Sequence, residues 1–526
     1  MTYMTCCCRL LLGIWLLVAA ASAAGLLLAR DASGSHSQPL HTVVMADAQV
    51  AESRTINVDA DTVTGQIRSL QGLNAGPRPP FPSMADLTSQ YSAIGVDYVR
   101  THDYFGPCDM NEIFPDWDAD PALESSYDFA SSDQELNAIQ AAGAEVLFRI
   151  GYSWGDPTAP ITYVAYEDQA KWAEIARHVV MHYNDGWANG FYYDIRYWEV
   201  WNEPDISIFW TGTPDEYFQL YEATAQALKT HDPTLRVGGP ALCCNWEFLA
   251  AFLAYAQANG VPVDFISWHT YTPDPYDPYE QAEAAQYLRN LFGFPDAELV
   301  LDEWNYYPGA VNENWNAKGA AYTASFLAYM QDTPIVISNR YRGNGGGIAS
   351  TGMGLFNDDG TYKKPAYTYL AHRWLLDTPL RLAATGSDAL GYTVLAGKSA
   401  DEERIVVVVS DLQSSYTGYA LTIDNLPWGN HPFFYERYLL DAAHDLELAE
   451  SESRSGTSVF STTEAMSPES VQVVKLTRST SVGGIAELPA SPGSSGPNHI
   501  ALAGLVAVSL VALAAGAWYA RRRWSG

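Results

Sequence analysis

The sequence predicts an α/β fold: a (β/α)8 barrel, or TIM barrel, with an accessory C-terminal β-sandwich and a hydrophobic segment at each terminus. Between residues 55 and 377, short apolar runs alternate with stretches of helical periodicity, as in a barrel of parallel strands and outer helices. Residues 378–478 carry β-rich runs separated by turn residues, which indicates a sandwich. A chain of 526 residues is also too long for one ordinary core.

Eight apolar runs are the candidate barrel strands. They lie at 71–74, 96–100, 145–150, 197–201, 235–239, 264–268, 299–301 and 334–337. Apolar residues recur at helical spacing between them, for example over 168–183 and 215–229. The strand-like stretch 55–59 opens the predicted barrel domain, but it can also join the sandwich from the N-terminal side.

The N-terminal segment predicts export. Residues 1–30 contain a long apolar run after Arg9, and Ala21-Ser22-Ala23 fits a small-x-small cleavage site. This segment is either a signal peptide or an uncleaved N-terminal anchor. Residues 31–54 are small and polar, which indicates a linker.

The C-terminal segment predicts a membrane anchor. Residues 479–498 are rich in Ser, Gly and Pro and form a predicted flexible linker. Residues 499–520 are uninterrupted by charge and long enough for a transmembrane helix, followed by a basic tail at 521–526. Because arginines stay on the cytoplasmic side, the folded body is expected at the cell membrane and outside the cell.

Charge and cysteine content exclude other classes of function. The formal net charge is −32 and no basic patch offsets it, so we expect no nucleic-acid partner. Outside the leader the cysteines are Cys108, Cys243 and Cys244, which lack the spacing of a metal site. A disulfide among these three stays an open alternative if the chain is exported.

Two glutamates end predicted barrel strands and are the candidate catalytic groups. The run 197–201 is followed by Asn202-Glu203-Pro204, and the proline stops the strand because it has no N–H. Glu303 closes the run 299–301 in the same way. In a TIM barrel the carboxyl ends of the strands carry the chemistry, and a retaining glycosidase needs two carboxyls there. A single glutamate at a strand end is more often solvated or ion-paired, but two beside Trp and Asn favour catalysis.

The motifs together resemble clan A glycoside hydrolases and, more narrowly, glycoside hydrolase family 39, which includes β-xylosidases and α-L-iduronidases. The Trp-Asn-Glu-Pro sequence marks the clan, and the wider set of stretches is more specific to the family. The resemblance runs from about residue 65 to 370, and its stretches lie at 72–77, 99–102, 127–129, 209–213, 216–217, 232–241, 267–271, 354–356 and 364–367.

The resemblance implies a role for most of the candidate site residues. Glu203 would be the general acid/base and Glu303 the nucleophile. Asn202 (through the sugar 2-hydroxyl) and His102 are implied to bind the sugar, and His269 and Tyr271 to bind it or orient the nucleophile. Trp304 and Arg340 are further candidate substrate-binding residues that the resemblance does not itself supply. No metal and no organic cofactor is expected.

The sequence departs from the family pattern after the eighth strand. Xylosidases of the family place an aromatic residue there, usually Trp, whereas this chain has Arg340-Tyr341-Arg342. A guanidinium matches carboxylate geometry, so Arg340 or Arg342 would favour a uronic acid as the glycone. The simpler interpretation is a structural arginine in a Gly-rich loop.

These observations predict a retaining, exo-acting, β-xylosidase-like enzyme that cleaves oligomers of plant or microbial polysaccharide. One alternative is an α-L-iduronidase-like enzyme, or another hydrolase of uronides or arabinosides. A second alternative is a non-catalytic carbohydrate-binding protein of the cell surface, whose signature would be loss of one of the two carboxylates.

Overall fold

The computed structural model describes residues 52–479, apart from residues 80, 103–105, 154–167, 308–312 and 346–351. Within these ranges no helix is both long and apolar enough to cross a membrane. The predicted N-terminal segment 1–30, the transmembrane helix 499–520 and the basic tail 521–526 lie outside the described residues, as do nearly all residues of the two predicted linkers.

Eight parallel strands close into a barrel, which confirms the predicted TIM barrel. Each strand pairs with its neighbour in the chain, and the first and last strands pair to complete the ring. All eight overlap the runs predicted from the sequence. They are β2 (Gly72–Asn74), β3 (Tyr98–Arg100), β4 (Glu145–Ile150), β5 (Tyr197–Val200), β6 (Arg236–Leu242), β7 (Phe265–Thr272), β8 (Glu298–Tyr306) and β9 (Ile335–Arg340).

The α-helices of the described ranges surround this barrel or connect its strands. They are α1 (Thr88–Ile94), α2 (Met110–Ile113), α3 (Ala130–Ala142), α4 (Gln169–Asp185), α5 (Pro214–His231), α6 (Trp246–Asn259), α7 (Asp277–Leu291), α8 (Ala317–Met330) and α9 (Lys364–Leu376). Short 3-10 turns lie at Glu124–Ser126 and Trp187–Asn189. Local sequence sets the starts of several of them. In α5, Thr213 and Glu216 form a capping box, and Pro214 occupies the first turn.

Side chains inside the barrel form layers, because alternate residues of a strand point to the same side. The lower layer is apolar and contains Leu147, Tyr197, Phe265, Val300 and Ile337, with Tyr98 packed against it. Two residues further along the same strands, every position is polar. This second layer lies nearer the carboxyl ends and consists of Arg100, Arg149, Glu199, Ser267, Asp302 and Asn339. The floor of the barrel mouth is therefore a buried polar layer.

The remaining strands form one continuous sheet of nine strands in the order β15-β14-β17-β12-β11-β10-β1-β13-β16. Only β1 and β13 pair in parallel. The strands are β1 (Ser53–Gln66), β10 (Leu380–Ala384), β11 (Tyr392–Lys398), β12 (Arg404–Asp411), β13 (Gly418–Asp424), β14 (Phe433–Leu440), β15 (Asp445–Arg454), β16 (Phe460–Ala465) and β17 (Ser470–Arg478).

Strand β1 lies within the accessory sheet, between β10 and β13, and not in the barrel. The stretch 55–59 thus joins the accessory domain from the N-terminal side, and the boundary at residue 55 set for the barrel domain was too early. A hydrophobic face explains this placement, because Ile56 and Val58 are buried in the core of the accessory sheet. The first barrel strand begins at Gly72.

The accessory sheet folds over its own core instead of forming two separate sheets. Tyr435 of β14 and Phe460 of β16 lie near opposite ends of the strand order, yet their ring centroids are 5.1 Å apart. The other face of the central strands packs on α8 and α9 of the barrel. Ser410 of β12 donates to the Ala321 carbonyl of α8 at 2.9 Å, and Lys475 of β17 lies 3.2 Å from the ring of Trp374.

Candidate active site

The turn after β5 places Glu203 at the barrel mouth. The strand ends at Val200, earlier than the proline predicts, because Trp201 and Glu203 have positive φ angles of 74° and 46°. The Glu203 N–H donates to the Ala241 carbonyl at 2.9 Å, which fixes the turn to the end of β6. Strained backbone of this kind is common where a functional side chain must be held in one direction.

Asp205 ties the same turn to the loop that follows β6. Its carboxylate accepts hydrogen bonds from the backbone N–H groups of Cys243, Cys244 and Asn245 at 2.9–3.0 Å. Two of the three body cysteines are therefore part of the backbone frame that holds the Glu203 turn. Because the Asp205 oxygens already accept these donors, the arrangement is explained without a metal ion.

Glu203 is in contact with an imidazole. Its Oε1 lies 2.7 Å from Nδ1 of His269, and Nε2 of His269 lies 3.1 Å from Oδ2 of Asp302. Burial lowers the pKa of His269, but the Glu303 and Asp302 carboxylates outweigh burial and raise that pKa well above its ordinary value. The charged ring donates from both nitrogens, so one proton lies between His269 and Glu203.

Glu303 is held by donors on both oxygens. Tyr271 donates to Oε1 at 2.5 Å, and Nη1 of Arg100 donates to Oε2 at 3.1 Å. Burial raises the pKa of Glu303, the charge of Glu203 adds to this, and His269, Arg100 and Tyr271 oppose it. The donors on both oxygens are the contacts that stabilise the carboxylate form, which a nucleophile requires.

The two carboxyls lie close together. One oxygen of Glu203, one oxygen of Glu303 and one ring nitrogen of His269 all lie within 4.8 Å of one another. Glu203 and Glu303 are 8 % and 6 % exposed, so each is reached only through the mouth. Oxygen and nitrogen donors of this kind also suit a cation, but the direct 2.7 Å contact between His269 and Glu203 is a hydrogen bond and leaves no space between those atoms.

Arg100, at the end of β3, connects these groups. Its side chain is fully buried and its three nitrogens contact five side chains. These are Glu199 at 2.6 Å, Asn202 at 2.8 Å, Asn74 and Glu303 at 3.1 Å, and Asp302 at 3.2 Å. The carboxylates outweigh the effect of burial and raise the pKa of Arg100 above its ordinary value, so the guanidinium stays charged.

Asn202 and His102 present polar atoms to the mouth. The Asn202 Oδ1 is held by Arg100, and its Nδ2 is buried without a hydrogen-bond partner among the described residues. Burial, reinforced by nearby arginines, lowers the pKa of His102 well below its ordinary value, and its Nε2 lies 3.7 Å from Oε2 of Glu303. A neutral imidazole and an unused amide donor are groups that bind sugar hydroxyls.

Two predicted sugar-binding residues, Trp304 and Arg340, point away from the mouth. The Trp304 ring is fully buried, stacks on Phe326 of α8 at 3.9 Å, and donates from Nε1 to Ser338 at 2.8 Å. Arg340 is also fully buried, donates to the Asn314 carbonyl at 2.9 Å, and lies over the Trp304 ring. Both residues face the helical layer, because neighbouring residues of a strand point to opposite sides.

Three groups of the mouth had no role predicted from the sequence. Arg100 ends the predicted run 96–100 and Asp302 directly follows the run 299–301, but a buried ion pair gives no signal in a single sequence. Tyr341 is the aromatic residue after the eighth strand, and its ring centroid lies 6.0 Å from that of His102. It is also close enough to Tyr271 to contribute to the raised pKa of that residue. The sequence contained a signal for Tyr341, because the family pattern places an aromatic residue after the eighth strand and Tyr341 directly follows Arg340.

The comparisons with known proteins agree with this geometry. The family model for "Glycosyl hydrolases family 39" matches residues 54–342. A β-xylosidase of Geobacillus stearothermophilus is 30% identical over 266 residues, 45% of this chain and 52% of that protein. A β-xylosidase of Caldicellulosiruptor saccharolyticus is 31% identical over 198 residues, 34% of this chain and 38% of that protein. The chain thus matches about half the length, or less, of these curated relatives.

Solved structures resemble the chain over a larger share. A glucosidase of Croceicoccus marinus matches with a TM-score of 0.73 and 29% identity, covering 82% of this chain and 100% of that one. A monomeric β-xylosidase of Caulobacter crescentus matches with a TM-score of 0.66 and 18% identity over 81% of this chain and 100% of that one, which supports the fold alone. The family match includes the whole barrel mouth, from Asn74 to Arg342, and the chain therefore belongs to glycoside hydrolase family 39.

Proposed function

We propose that the protein is a retaining glycoside hydrolase that cleaves O-glycosidic bonds by double displacement. The observation that carries this proposal is the approach of Glu203 and Glu303 to within 4.8 Å, oxygen to oxygen. Retaining enzymes place their two carboxyls about 5–5.5 Å apart, whereas inverting enzymes leave about 6.5–9.5 Å for a water. Both carboxylates are present and held by donors, which argues against a non-catalytic carbohydrate-binding protein.

In the first step, Glu303 attacks the anomeric carbon while Glu203 protonates the leaving oxygen. The bond from carbon to the leaving oxygen breaks as the ester bond to Glu303 forms. Glu203 is left as a carboxylate, which accepts a hydrogen bond from His269 through their 2.7 Å contact. Asn202 donates from Nδ2 to the sugar 2-hydroxyl, a contact that strengthens in the oxocarbenium-like transition state.

In the second step, Glu203 removes a proton from water and the water oxygen attacks the anomeric carbon. The ester bond to Glu303 breaks and releases the carboxylate to Tyr271 and Arg100. The charged His269 donates to Glu203 in its carboxylate form, so the same contact stabilises the base. Two displacements on opposite faces give net retention of configuration.

The glycone that this mouth fits best is a neutral sugar, with a β-xyloside as the first candidate. The family resemblance and the named β-xylosidase relatives support a pentose, and the Croceicoccus protein named a glucosidase supports testing a hexose. Arg340 no longer supports a uronic acid, since it is buried behind Trp304. Arg342 keeps that alternative open, because it lies near enough to His102 to lower the pKa of that ring. Exo action on oligomers of plant or microbial polysaccharide is part of the proposal.

A panel of nitrophenyl glycosides tests the proposal. We expect the β-xyloside to be cleaved fastest, the β-glucoside more slowly, and the arabinoside and α-L-iduronide least. Proton NMR of the first product should show the β-anomer before mutarotation. Appearance of the α-anomer first would contradict the retaining mechanism, and cleavage of the iduronide alone would assign the glycone to a uronic acid.

The Tyr271→Phe variant should move the acidic limb of the kcat/KM profile to higher pH. The Tyr271 hydroxyl lowers the pKa of Glu303, so its loss raises that pKa and the nucleophile becomes protonated at a higher pH. The measurement is kcat/KM from about pH 4 to 9 for both proteins. Tyr279→Phe, in the first turn of α7, is the matched control and should leave the limb in place. An acidic limb that stays in place or moves to lower pH in Tyr271→Phe would contradict the assignment of Glu303.

We also propose that residues 499–520 anchor the enzyme in the cell membrane with the catalytic domain outside. Their uncharged length and the following arginines support this topology. Removal of residues 499–526 should release the protein into the soluble fraction with kcat/KM unchanged. Continued sedimentation with membranes would assign the anchor to residues 1–30 instead.

A further inference from the structure

Beneath the catalytic pair lies a second pair of carboxyls that the double displacement does not use. Glu199 and Asp302 belong to the buried polar layer of the barrel, and both are 0 % exposed. Both contact the same guanidinium, at Nε of Arg100 for Glu199 and at Nη2 for Asp302. The two carboxyls also face each other, and each influences the titration of the other.

Each carboxyl has one oxygen engaged and one oxygen left over. Glu199 Oε2 accepts from Arg100 at 2.6 Å, and Asp302 Oδ2 contacts both Arg100 and His269. Glu199 Oε1 and Asp302 Oδ1 are buried and have no assigned donor within the described part of the chain. The two carboxyl groups interact with each other, and a proton shared between them explains two buried oxygens without donors, since a carboxylic acid can donate where a carboxylate cannot.

The charge balance of the mouth points the same way. Four acidic groups surround two cations, and they are Glu199, Glu203, Asp302 and Glu303 around Arg100 and His269. If all four were ionised, the buried cluster would carry a net charge of about −2, which a low-dielectric interior disfavours. One proton on the lower pair reduces this net charge to about −1.

We propose that Glu199 is protonated and donates its O–H from Oε1 to Oδ1 of Asp302, acting as a positioning residue for the proposed glycosidase reaction. The acid is assigned to Glu199 because Asp302 also faces the charged His269, whereas the described polar groups that act most strongly on Glu199, besides Asp302, are Arg100 and the Ser267 hydroxyl. The bond holds Asp302 in place for His269, and His269 in turn contacts Glu203. It also leaves the charge of Arg100 available to Glu303 and Asn202.

The titration behaviour of the two groups agrees with this assignment. Burial raises the pKa of Glu199 to about 7. Burial also acts to raise the pKa of Asp302, but His269 and Arg100 outweigh it and lower that pKa. As pH rises past the pKa of Glu199, two carboxylates in contact repel each other, which weakens the contact that holds Asp302 in place for His269. The groups that face the pair are Arg100 from β3, Ser267 and His269 from β7, and Glu303 from β8.

Glu199→Gln tests the inference, because glutamine copies the protonated form. Its amide oxygen accepts from Arg100 and its NH2 group donates to Asp302. We expect kcat/KM at neutral pH within about threefold of the wild type, and a basic limb moved to higher pH since the pair no longer ionises. The matched variant Asp302→Asn removes the carboxylate that His269 needs, and should cost about 100-fold.

Infrared spectroscopy supplies a readout that does not depend on activity. At about pH 6 the wild type should show the carbonyl stretch of one buried carboxylic acid that is absent from Glu199→Gln. A wild type without glycosidase activity on the panel would overturn the proposed function, yet the infrared comparison would still decide the protonation of Glu199. A loss of 100-fold or more in Glu199→Gln, or identical carbonyl bands in the two proteins, would show an ionised Glu199 and overturn the inference.

Discussion

The Glu303→Gly variant is expected to lose about 10⁴- to 10⁶-fold in kcat on the best glycoside of the panel. Without Glu303 no ester to the enzyme forms, so the first displacement has no nucleophile. The space left by the missing carboxylate lies between the Tyr271 hydroxyl and Nη1 of Arg100, which held its two oxygens. These donors and the vacated volume suit a small anion.

Azide should therefore restore turnover of Glu303→Gly and give a glycosyl azide. Because azide attacks from the face that Glu303 occupied, the product should have the anomeric configuration opposite to that of the substrate. In Glu203→Ala, which still forms the ester, azide instead enters during the second step and the product should keep the configuration. Product configuration, determined by NMR, thus assigns the nucleophile and the acid/base separately.

Glu298→Gly is the matched control for this experiment. Glu298 lies on the same strand, β8, at the end opposite the mouth, where it accepts a hydrogen bond from the Tyr197 hydroxyl at 2.8 Å. The control carries the same loss of a side chain within the strand, but its kcat should stay within about threefold of the wild type. Full activity in Glu303→Gly without azide would remove Glu303 from the mechanism.

The barrel and the position of Glu203 and Glu303 at its mouth could be predicted from the sequence because both depend on local pattern. Apolar runs that end in Asn202-Glu203-Pro204 or at Glu303 predict strands with carboxylates at their ends, and this prediction needs only a short window of sequence. The N-terminal boundary between the accessory domain and the barrel was harder to predict. Strand β1 pairs with strands more than 300 residues away, and no local signal states which of two neighbouring sheets will accept it.

Side-chain direction at the mouth could not be read from the sequence, since it depends on single-residue shifts in register. Strand β8 shifts against β9 between Leu301 and Trp304, so the spacing along this strand does not show which of its residues face inward. Glu303 and Asp302 both reach the mouth, while Trp304 turns to the helices. The same one-residue uncertainty applies at the end of β9. The sequence predicts Arg340 at the mouth, but the residue that lies there is the next one, Tyr341.

Arg100→Met is expected to lower the free energy of unfolding by about 3–5 kcal/mol. The guanidinium is the cation on which Glu199, Asp302 and Glu303 converge, and all three are buried. Its replacement by an apolar side chain of similar length leaves the Asp302 and Glu303 carboxylates without this countercharge, and breaking a buried ion pair on one side is among the costliest substitutions. The measurement is urea-induced unfolding followed by tryptophan fluorescence.

The same variant should change the pH dependence of whatever activity remains. Arg100 lowers the pKa of Glu303, so its loss raises that pKa, and the acidic limb of kcat/KM moves to higher pH in the same direction as in Tyr271→Phe. Arg100→Lys keeps the charge but not the fork of three donors, and should lie between methionine and the wild type in both measurements.

Arg236→Met is the matched control for charge removal on a barrel strand. Arg236 pairs with Glu298 at 3.6 Å and is one-third exposed, so its loss should cost under about 1 kcal/mol. If Arg100→Met cost no more than Arg236→Met, the carboxyls around Arg100 would have to be largely protonated in the folded protein. The assignment of Glu303 as an anion held by Arg100 would then fail, whereas a large cost together with the shifted acidic limb would establish Arg100 as the residue that keeps the nucleophile charged.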